Sequence, residues 1–252
     1  MLLTMTIEIR EVAKRRIDSL LVAEGLVVSR AKAQALIMAG EVTVDGRIVT
    51  KPGTLIEEGA AIVISEPPPF VSRGGIKLDH ALDEFRLDVR GKVAEDIGAS
   101  TGGFTDCLLK RGASRVYAID VGYGQFDYRL RQDPRVVVME RVNARYPISL
   151  PEKVDLATID LSFISVTKVI PSVAQILKED GYLVVLVKPQ FESRKGEVGK
   201  GGIIKDSQLH AAILGRFIVW VVDNGFRLKG LIVSPILGAE GNKEFFVLLR
   251  TK

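Results

Sequence analysis

Four charged residues interrupt segments of the chain that are otherwise apolar. Lys77 lies in "SRGGIKLDHAL", Asp160 ends "LATIDLSFIS", Lys188 ends "LVVLVKPQFE", and Glu244 begins "GNKEFFVLLR". An unpaired charge is costly to bury, so ionisable residues in such places are paired, functional or both. Taken singly, each is better explained as a structural ion pair or an exposed strand end. Two lysines and two carboxylates that converge on one sheet edge favour a site that handles a proton or a developing negative charge.

A glycine turn follows an apolar strand in "VAEDIGASTGGF". The segment predicts a strand ending at Ile97, a turn containing Gly98, Gly102 and Gly103, and a helix from about Gly103. No Gly-Lys-Ser or Gly-Lys-Thr follows, and the spacing is not G-x-G-x-x-G, which excludes a phosphate-binding loop and the dinucleotide fingerprint. Two explanations remain: a ligand lies directly against the backbone, or the glycines serve only close packing of strand and helix.

Asp120 favours the ligand. It ends the second strand in "YAIDVGYGQ", about twenty residues on, where a carboxylate accepts hydrogen bonds from ribose hydroxyls. A ribose held without a pyrophosphate loop indicates S-adenosyl-L-methionine rather than NAD. Asn143, in "ERVNARYP", is a candidate for the adenine edge, although an asparagine in a loop is more often a turn residue. The predicted cofactor contacts are Gly98, Ala99, Ser100, Gly102, Gly103, Phe104, Asp120, Val121 and Asn143.

Seven apolar segments must position these residues, with helix-like stretches between most of them. They are "KVAEDIGA", "RVYAIDV", "RVVVME", "VDLATIDLS", "GYLVVLVKP", "FRLKGLIVS" and "EFFVLLRT". Apolar, β-branched strands that alternate with helices predict an α/β fold, with a largely parallel sheet covered on both faces. Ligands of such sheets bind at the carboxyl ends of the strands. The site is therefore expected at that edge.

The first region of the chain is smaller. Helical spacing of apolar residues ends before Gly25, Ser29 predicts the N-cap of a second helix, and Asp45-Gly46 predicts a hairpin turn. This order, carried by "RIDSLLVAEGLVVSRAKAQALIMAGEVTVDGRIV", resembles the S4-type RNA-binding module over most of residues 14–65. The basic residues predicted to contact RNA, rather than merely to be solvated, are Arg15, Arg16, Arg30, Lys32 and Arg73, with Arg194, Lys195, Lys200 and Lys205 in the glycine-rich loop 191–206.

The proline run in "SEPPPFVSRGG" predicts a linker, because three consecutive prolines join neither a helix nor a central strand. The expected domains are residues 1–66 and 73–252, joined by 67–72. A net charge of +4 permits a nucleic-acid partner without requiring one. Apolar runs too short to span a bilayer predict no membrane helix, and a single cysteine, Cys107, predicts a reducing cytoplasmic setting.

The motifs "SRGGIKL", "DIGASTGGFTD", "IDVGYGQ", "DLSFIS", "VKPQFE" and "GNKEFF" resemble those of the haemolysin A (TlyA-type) family over nearly the whole chain. That family joins an S4 module to an FtsJ-like methyltransferase domain. The resemblance implies a small α+β domain followed by a Rossmann-like domain, whose seven-stranded, mostly parallel sheet has an antiparallel last strand. It implies 2′-O-methylation of a cytidine in 23S ribosomal RNA, in 16S ribosomal RNA or in both, with ribosomal subunits as partners. The family's catalytic set falls on Lys77, Asp160, Lys188 and Glu244.

The chemistry suits those residue types and requires no metal. A sulfonium donor already activates its methyl group, so the protein must align a hydroxyl and manage one proton. We expect Lys188 to accept that proton or to stabilise the alkoxide, Asp160 to orient Lys188, and Lys77 and Glu244 to fix the ribose. The chain stops at "LLRTK", without the extension of some relatives, which weakly favours the large subunit as substrate.

Two other classes of protein stay open. A non-catalytic RNA-binding or ribosome-assembly factor would not bind S-adenosyl-L-methionine, or would not need the four charged residues. A membrane-lytic protein is disfavoured by the lack of a spanning segment or a strongly amphipathic cationic helix. Neither sequence nor composition predicts the oligomeric state.

Overall fold

A computed structural model describes residues 14–65, 68–199 and 201–251 of the chain. The chain divides into two compact units between Pro68 and Pro69. Each unit has its own hydrophobic core. The core of the first unit is one cluster of buried residues, and that of the second consists of two clusters. The domain boundaries at residues 66 and 73 stay a prediction.

The small unit combines two helices with two short sheets. Its elements are β1 (Lys14–Arg16), α1 (Ile17–Ala23), α2 (Arg30–Met38), β2 (Val42–Val44), β3 (Arg47–Ile48), β4 (Leu55–Glu57) and β5 (Ile62–Ile64). Strands β3, β2 and β5 form one antiparallel sheet, and β1 pairs with β4 in the other. Ile17, Leu21 and Ile37 are fully buried between helices and sheet.

Local signals in the sequence explain where these helices and the hairpin begin and end. The Ser29 hydroxyl accepts a hydrogen bond from the Lys32 backbone N–H, which caps α2. Asp45 and Gly46 both have positive φ, 49° and 76°, which suits the tight turn between β2 and β3. Arg15 and Arg16 lie in β1, whose backbone pairs with β4.

The large unit is a seven-stranded sheet with helices on both faces. Its strands are β6 (Val93–Ile97), β7 (Arg115–Asp120), β8 (Val136–Glu140), β9 (Val154–Ile159), β10 (Leu177–Val187), β11 (Arg227–Val233) and β12 (Phe245–Arg250). The order across the sheet is β11-β12-β10-β9-β6-β7-β8; β12 runs antiparallel to both β10 and β11, and the other neighbouring pairs are parallel. The predicted α/β fold with an antiparallel last strand is confirmed.

Two apolar layers sandwich this sheet. The helices are α3 (Arg73–Glu84), α4 (Gly103–Lys110), α5 (Tyr128–Arg131), α6 (Ile170–Ala174), α7 (Pro189–Glu192) and α8 (Ser207–Asp223), with a 3₁₀ turn at Val166–Lys168. Buried residues of α3, α4 and α5 cover one face, and those of α6 and α8 cover the other. Among the described residues, no helix is long and apolar enough to cross a membrane.

The register of the strands brings the functional candidates to one edge. Ile97 of β6 aligns with Ile119 of β7 and with Ile159 of β9, so the residues that follow these strands lie side by side. Val187 of β10 pairs with Phe245 of the antiparallel β12. Lys188 and Glu244 therefore emerge at the same edge as Asp160, although Glu244 precedes its strand.

Candidate active site

A cleft of about 540 Å³ opens at the carboxyl edge of β6, β7 and β9. Its polar lining includes Asp120, Asn143 and Asp160, and its apolar lining includes Val121 and Leu161. Gly98 and Ser100 of the glycine turn also line it. Five of the nine predicted cofactor contacts therefore line this cleft, whose position follows from where the parallel strands end.

The three glycines of the turn have different surroundings. A Cβ on Gly98, whose φ is +83°, would lie 2.2 Å from the backbone oxygen of Asp160. On Gly102, with φ +95°, it would lie 2.6 Å from Leu130, and on Gly103 it would lie 2.1 Å from the Ser72 hydroxyl oxygen. All three positions exclude a side chain for packing reasons. Only Gly98 also lines the large cleft.

The other four predicted cofactor contacts do not line the large cleft. Gly103 and Phe104 line a smaller pocket instead, and Ala99 lines that pocket too. The Phe104 ring is buried and lies 6.1 Å, centroid to centroid, from the ring of Phe246 in the core. Gly102 lines neither of these two spaces.

Asp120 is held by the backbone of the loops around it. Its Oδ2 accepts a 2.7 Å hydrogen bond from the Ser100 N–H, and its Oδ1 accepts one of 2.6 Å from the Gly122 N–H. Ser100 reaches this position with a φ of +48°. A carboxylate has about four acceptor positions, so two remain for a ligand. Asp120 is thus fixed in the cleft and still able to bind hydroxyl groups.

Lys188 and Asp160 form the first of two lysine–carboxylate pairs. Lys188 Nζ lies 2.6 Å from Asp160 Oδ1 and donates a 3.2 Å hydrogen bond to the Ser162 hydroxyl. The approach to Oδ1 lacks hydrogen-bond geometry, so among the described residues this buried oxygen has no hydrogen-bond donor. Ser162 and Asp160 both line the large cleft. This pair therefore borders the space where a ligand would lie.

Lys77 and Glu244 form the second pair, which is buried. Lys77 lies in the middle of α3, and its Nζ donates a 2.6 Å hydrogen bond to Glu244 Oε2. The two side chains are 10% and 4% exposed. A Cβ on Gly238 would lie 2.5 Å from Glu244 Oε1, so the bare backbone there makes room for the carboxylate. The pair ties α3 to the start of β12.

A smaller pocket of about 130 Å³ connects the two pairs. Lys77 and Asp160 both line it, together with Ser72 and residues of the glycine turn. Asp160 also lines the large cleft, so its side chain stands between the two spaces. The structure thus brings all four predicted catalytic residues to one edge as two ion pairs, with Asp160 shared between cleft and pocket.

Sequence reasoning missed several residues of this region. Phe163 lines the large cleft with its side chain 89% exposed and its φ at +66°. Asp96, just below the turn, accepts hydrogen bonds from the hydroxyls of Thr105 at 2.7 Å and Thr158 at 3.1 Å. Burial raises the pKa of Asp96 to about 7. The acidic letters of "EDIGAS" were the only signal for it.

Glu95, the neighbour of Asp96 on β6, points into the opposite apolar layer. It is fully buried, and neither of its carboxylate oxygens has a hydrogen-bond partner among the described residues. Burial raises its pKa to about 8. Glu95 is therefore largely protonated at neutral pH, and nothing in the sequence distinguished it from an exposed glutamate.

The predicted RNA contacts have varied environments. In the small unit, Arg16 and Arg30 share the buried Asp18, whereas Arg15 lies 3.6 Å from the exposed Glu58. Lys32 is exposed on α2. In the large unit, the Arg73 guanidinium donates to the Leu237 carbonyl, and Arg194, Lys195 and Lys205 are exposed in the loop. Lys200 lies outside the described residues.

Comparisons with known proteins cover both units. The profile of the FtsJ-like methyltransferase family matches residues 70–251, and that of the S4 domain matches residues 15–62. A 16S/23S rRNA (cytidine-2'-O)-methyltransferase, TlyA of Mycobacterium tuberculosis, is 45% identical over 243 residues, 95% of this chain and 91% of that protein. Hemolysin A of Brachyspira hyodysenteriae is 45% identical over 233 residues, 91% of this chain and 97% of that protein. A solved structure from Streptococcus thermophilus is 43% identical, with a TM-score of 0.72 over 96% of this chain and 90% of its own.

Proposed function

The chain belongs to the FtsJ-like methyltransferase family and carries an S4 domain before that domain, and on this premise we propose that it is a 2′-O-methyltransferase of ribosomal RNA. The cofactor is S-adenosyl-L-methionine, and the acceptor is the ribose of a cytidine in 16S or 23S rRNA, as the name of the mycobacterial relative states for that protein. One observation carries the proposal: two lysine–carboxylate pairs meet at the carboxyl edge of the sheet, beside a cleft large enough for a nucleoside.

The lining of the large cleft suits an adenosyl group. Its volume of about 540 Å³ falls within the usual range for small-molecule sites. Val121, Val142 and Leu161 offer an apolar surface for a base, and Asp120 keeps free acceptor positions for ribose hydroxyls. When bound, S-adenosyl-L-methionine supplies a methyl group on a sulfonium, which is already activated for transfer to oxygen. The chain's own residues then have to align the acceptor and manage its proton.

We assign the proton to the Lys188–Asp160 pair. The 2.6 Å contact between Nζ and Oδ1 holds the Lys188 side chain beside Asp160, which lines the large cleft. In its neutral form the Lys188 amine can accept the proton of the 2′-hydroxyl while the new oxygen–carbon bond forms and the sulfur–carbon bond of the donor breaks, and in its charged form it can stabilise the alkoxide. Ser162 holds Nζ from the side of the cleft. Asp160 thus orients Lys188 and balances its charge.

Lys77 and Glu244 position the acceptor in this proposal. Lys77 lines the smaller pocket with Asp160, so its ammonium group can donate a hydrogen bond to a ribose oxygen there. Glu244 fixes the Lys77 side chain, because its carboxylate accepts from Nζ inside the protein. Preorganised donors of this kind stabilise charge that develops on an oxygen, without reorganisation during the reaction.

The test is methylation of purified ribosomal subunits. The chain is incubated with 30S or 50S subunits and isotopically labelled S-adenosyl-L-methionine, and the RNA is digested to nucleosides for mass spectrometry. We expect labelled 2′-O-methylcytidine from at least one subunit. Label on a base, or no label in either subunit under conditions where the cofactor binds, would contradict the proposal.

The other two classes of protein give different results in parallel assays. A non-catalytic RNA-binding factor would bind RNA but not S-adenosyl-L-methionine in calorimetry. A membrane-lytic protein would release dye from liposomes at micromolar concentration. Methylation without dye release would exclude both the non-catalytic factor and the membrane-lytic protein.

A further inference from the structure

A buried carboxylate in the small unit holds two arginines. The Asp18 side chain is inaccessible to solvent. The residue lies close to the protein surface, and the polar groups around the carboxylate cover it. The Arg16 guanidinium donates through Nε to Oδ1 at 3.1 Å and through Nη2 to Oδ2 at 2.9 Å. Arg30 donates through Nε to Oδ2 at 3.0 Å. One carboxylate therefore fixes two guanidinium groups from different elements, β1 and α2.

Two further donors complete the arrangement. Gln34 Nε2 donates to Asp18 Oδ2 at 3.1 Å, and the Ser19 hydroxyl donates to Oδ1 at 3.3 Å. The hydrogen bonds, above all those from Arg16, hold the pKa of Asp18 well below its usual range. Asp18 therefore stays ionised under all conditions in which the chain would meet RNA, and it cannot release the arginines by protonation.

The arginines remain available on their outer sides. Their side chains are 47% and 55% exposed. Arg30 uses only Nε, so among the described residues its two terminal nitrogens make no hydrogen bond to protein. A Cβ on Gly53 would lie 3.2 Å from Arg16 Nη1, so this glycine leaves the outer edge of that guanidinium uncrowded. Planar guanidinium groups held in place are suited to bidentate contact with phosphate.

We propose that Asp18 is the positioning residue of a phosphate-binding site for RNA, in which Arg16 and Arg30 make the contacts. This proposal rests on the proposed function and adds to it which of the small unit's basic residues bind as a unit and why. Arg15 is not part of the site, because it lies against Glu58 and makes no contact with Asp18. Because the two arginines are already held in place, binding costs less side-chain entropy than it would for two freely rotating arginines.

The proposal predicts an effect opposite in sign to simple electrostatics. Asp18→Asn removes a negative charge, which alone would strengthen binding to a polyanion. Loss of positioning should instead weaken binding of a 23S rRNA transcript by about five- to tenfold, and lower the salt dependence of log K by about one. Glu58→Gln is the matched control. It removes the same charge from an exposed side chain and should leave affinity equal or slightly higher.

A second pair of variants separates the geometry of the two guanidinium groups from their charge. Arg16→Lys and Arg30→Lys keep both charges but lose the planar fork, and we expect each to weaken binding more than Arg15→Lys does. In the triple variant with both lysines, Asp18→Asn should add little, because positioning has already been lost. Additive effects of the arginine and aspartate changes would overturn the proposal, as would binding by Asp18→Asn that equals or exceeds the binding of Glu58→Gln.

Two measurements keep the outcomes distinct. Thermal unfolding of every variant in the full-length chain shows whether each is folded at the assay temperature, and calorimetry with S-adenosyl-L-methionine shows whether the large unit is intact. A folded Asp18→Asn chain with reduced RNA affinity supports the proposal. If the wild-type chain itself fails to bind the transcript, the proposed function is at fault rather than the role of Asp18.

Discussion

The carboxyl edge of the large sheet and the middle of its strand β6 both hold partly or fully buried acidic side chains, but the groups around these side chains differ. At the edge, Asp160 and Glu244 each have a lysine 2.6 Å away. In the strand, Glu95 has neither a cation nor a hydrogen bond among the described residues, and burial raises its pKa to about 8. At the edge, a basic side chain therefore lies beside each carboxylate. The interior keeps a proton instead, because an isolated charge there is too costly.

The two edge pairs also differ from each other. Lys77 and Glu244 form a hydrogen-bonded pair that is nearly closed to solvent, whereas Lys188 and Asp160 border the large cleft without hydrogen-bond geometry. A closed pair is suited to holding position, and an open pair to exchanging a proton with a ligand. Removing one residue from each location should therefore change different properties of the protein.

Lys188→Ala should have the largest effect on the reaction. General acid–base catalysis and charge stabilisation each contribute about 10² to 10³ in rate or more, so we expect methyl transfer to fall at least about 10³-fold. Affinity for S-adenosyl-L-methionine should stay nearly unchanged in calorimetry. Lys178→Ala is the control, since this exposed lysine of β10 pairs with Asp155 away from the cleft. Wild-type turnover by Lys188→Ala would remove the distinction between the open and the closed pair.

Glu244→Gln should act mainly on stability. It leaves the Lys77 ammonium group buried without its anion, and breaking a buried pair costs about 3 to 5 kcal/mol of unfolding free energy. Denaturant titration measures the loss, with the exposed Glu240→Gln as control. The double change Lys77→Met with Glu244→Leu should recover much of the stability while methyl transfer stays low. Recovery of both would mean that the closed pair has no part in positioning the substrate.

Glu95→Gln should change how stability depends on pH. The folded pKa of about 8 lies above the ordinary value of 4.5, so between these values the folded chain keeps a proton that the unfolded chain releases. Rising pH therefore destabilises the wild type by up to about 1.4 kcal/mol per pH unit in that window. From pH 5 to pH 8 the variant should gain about 3 kcal/mol relative to the wild type. Glu179→Gln, which changes an exposed glutamate, is the control. If the stability of Glu95→Gln and that of the wild type changed with pH in the same way, Glu95 would be ionised in the folded chain and the prediction would be wrong.

Ser162→Ala should have the smallest effect. It removes the hydroxyl that accepts from Lys188 at 3.2 Å, and one hydrogen bond to a charged group corresponds to about tenfold in rate. The pH–rate profile should shift as well, because Ser162 acts through the Lys188 amine. Ser162→Thr, which keeps the hydroxyl, should restore both. A tenfold loss without a change in the profile would indicate a contact with the substrate instead.

Much of the edge was predictable because it depends on chain order and periodicity. Strand ends place Asp120, Asp160 and Lys188 on one side of a parallel sheet, and an antiparallel last strand adds Glu244. The partners were not predictable. Glu244 emerges beside Lys188, yet it pairs with Lys77 on α3, because that helix packs against the edge from another part of the chain. Such choices depend on side-chain distances that no spacing in the sequence encodes.

The protonation of the buried Glu95 could not be predicted from the sequence for a similar reason. Glu95 and Asp96 are adjacent in the sequence, but successive residues of a strand face opposite sides of the sheet. Glu95 therefore lies in an apolar layer without a hydrogen-bond partner among the described residues, whereas Asp96 accepts hydrogen bonds from Thr105 and Thr158. In the small unit, nothing in the sequence distinguished Asp18 from other acidic residues. Only the fold shows that two arginines converge on it.

Asp160 lines both the large cleft and the smaller pocket, as do Gly98 and Ser100, so these three residues form the partition between the two spaces. For inhibitor design, this means that the proposed donor and acceptor spaces are adjacent compartments rather than remote ones. A bisubstrate compound that joins an adenosine to a second ribose needs only a short linker past this partition. A ligand that spans both compartments would gain affinity from each, whereas an adenosine analogue alone would use one and compete with every other adenosyl-binding protein for selectivity.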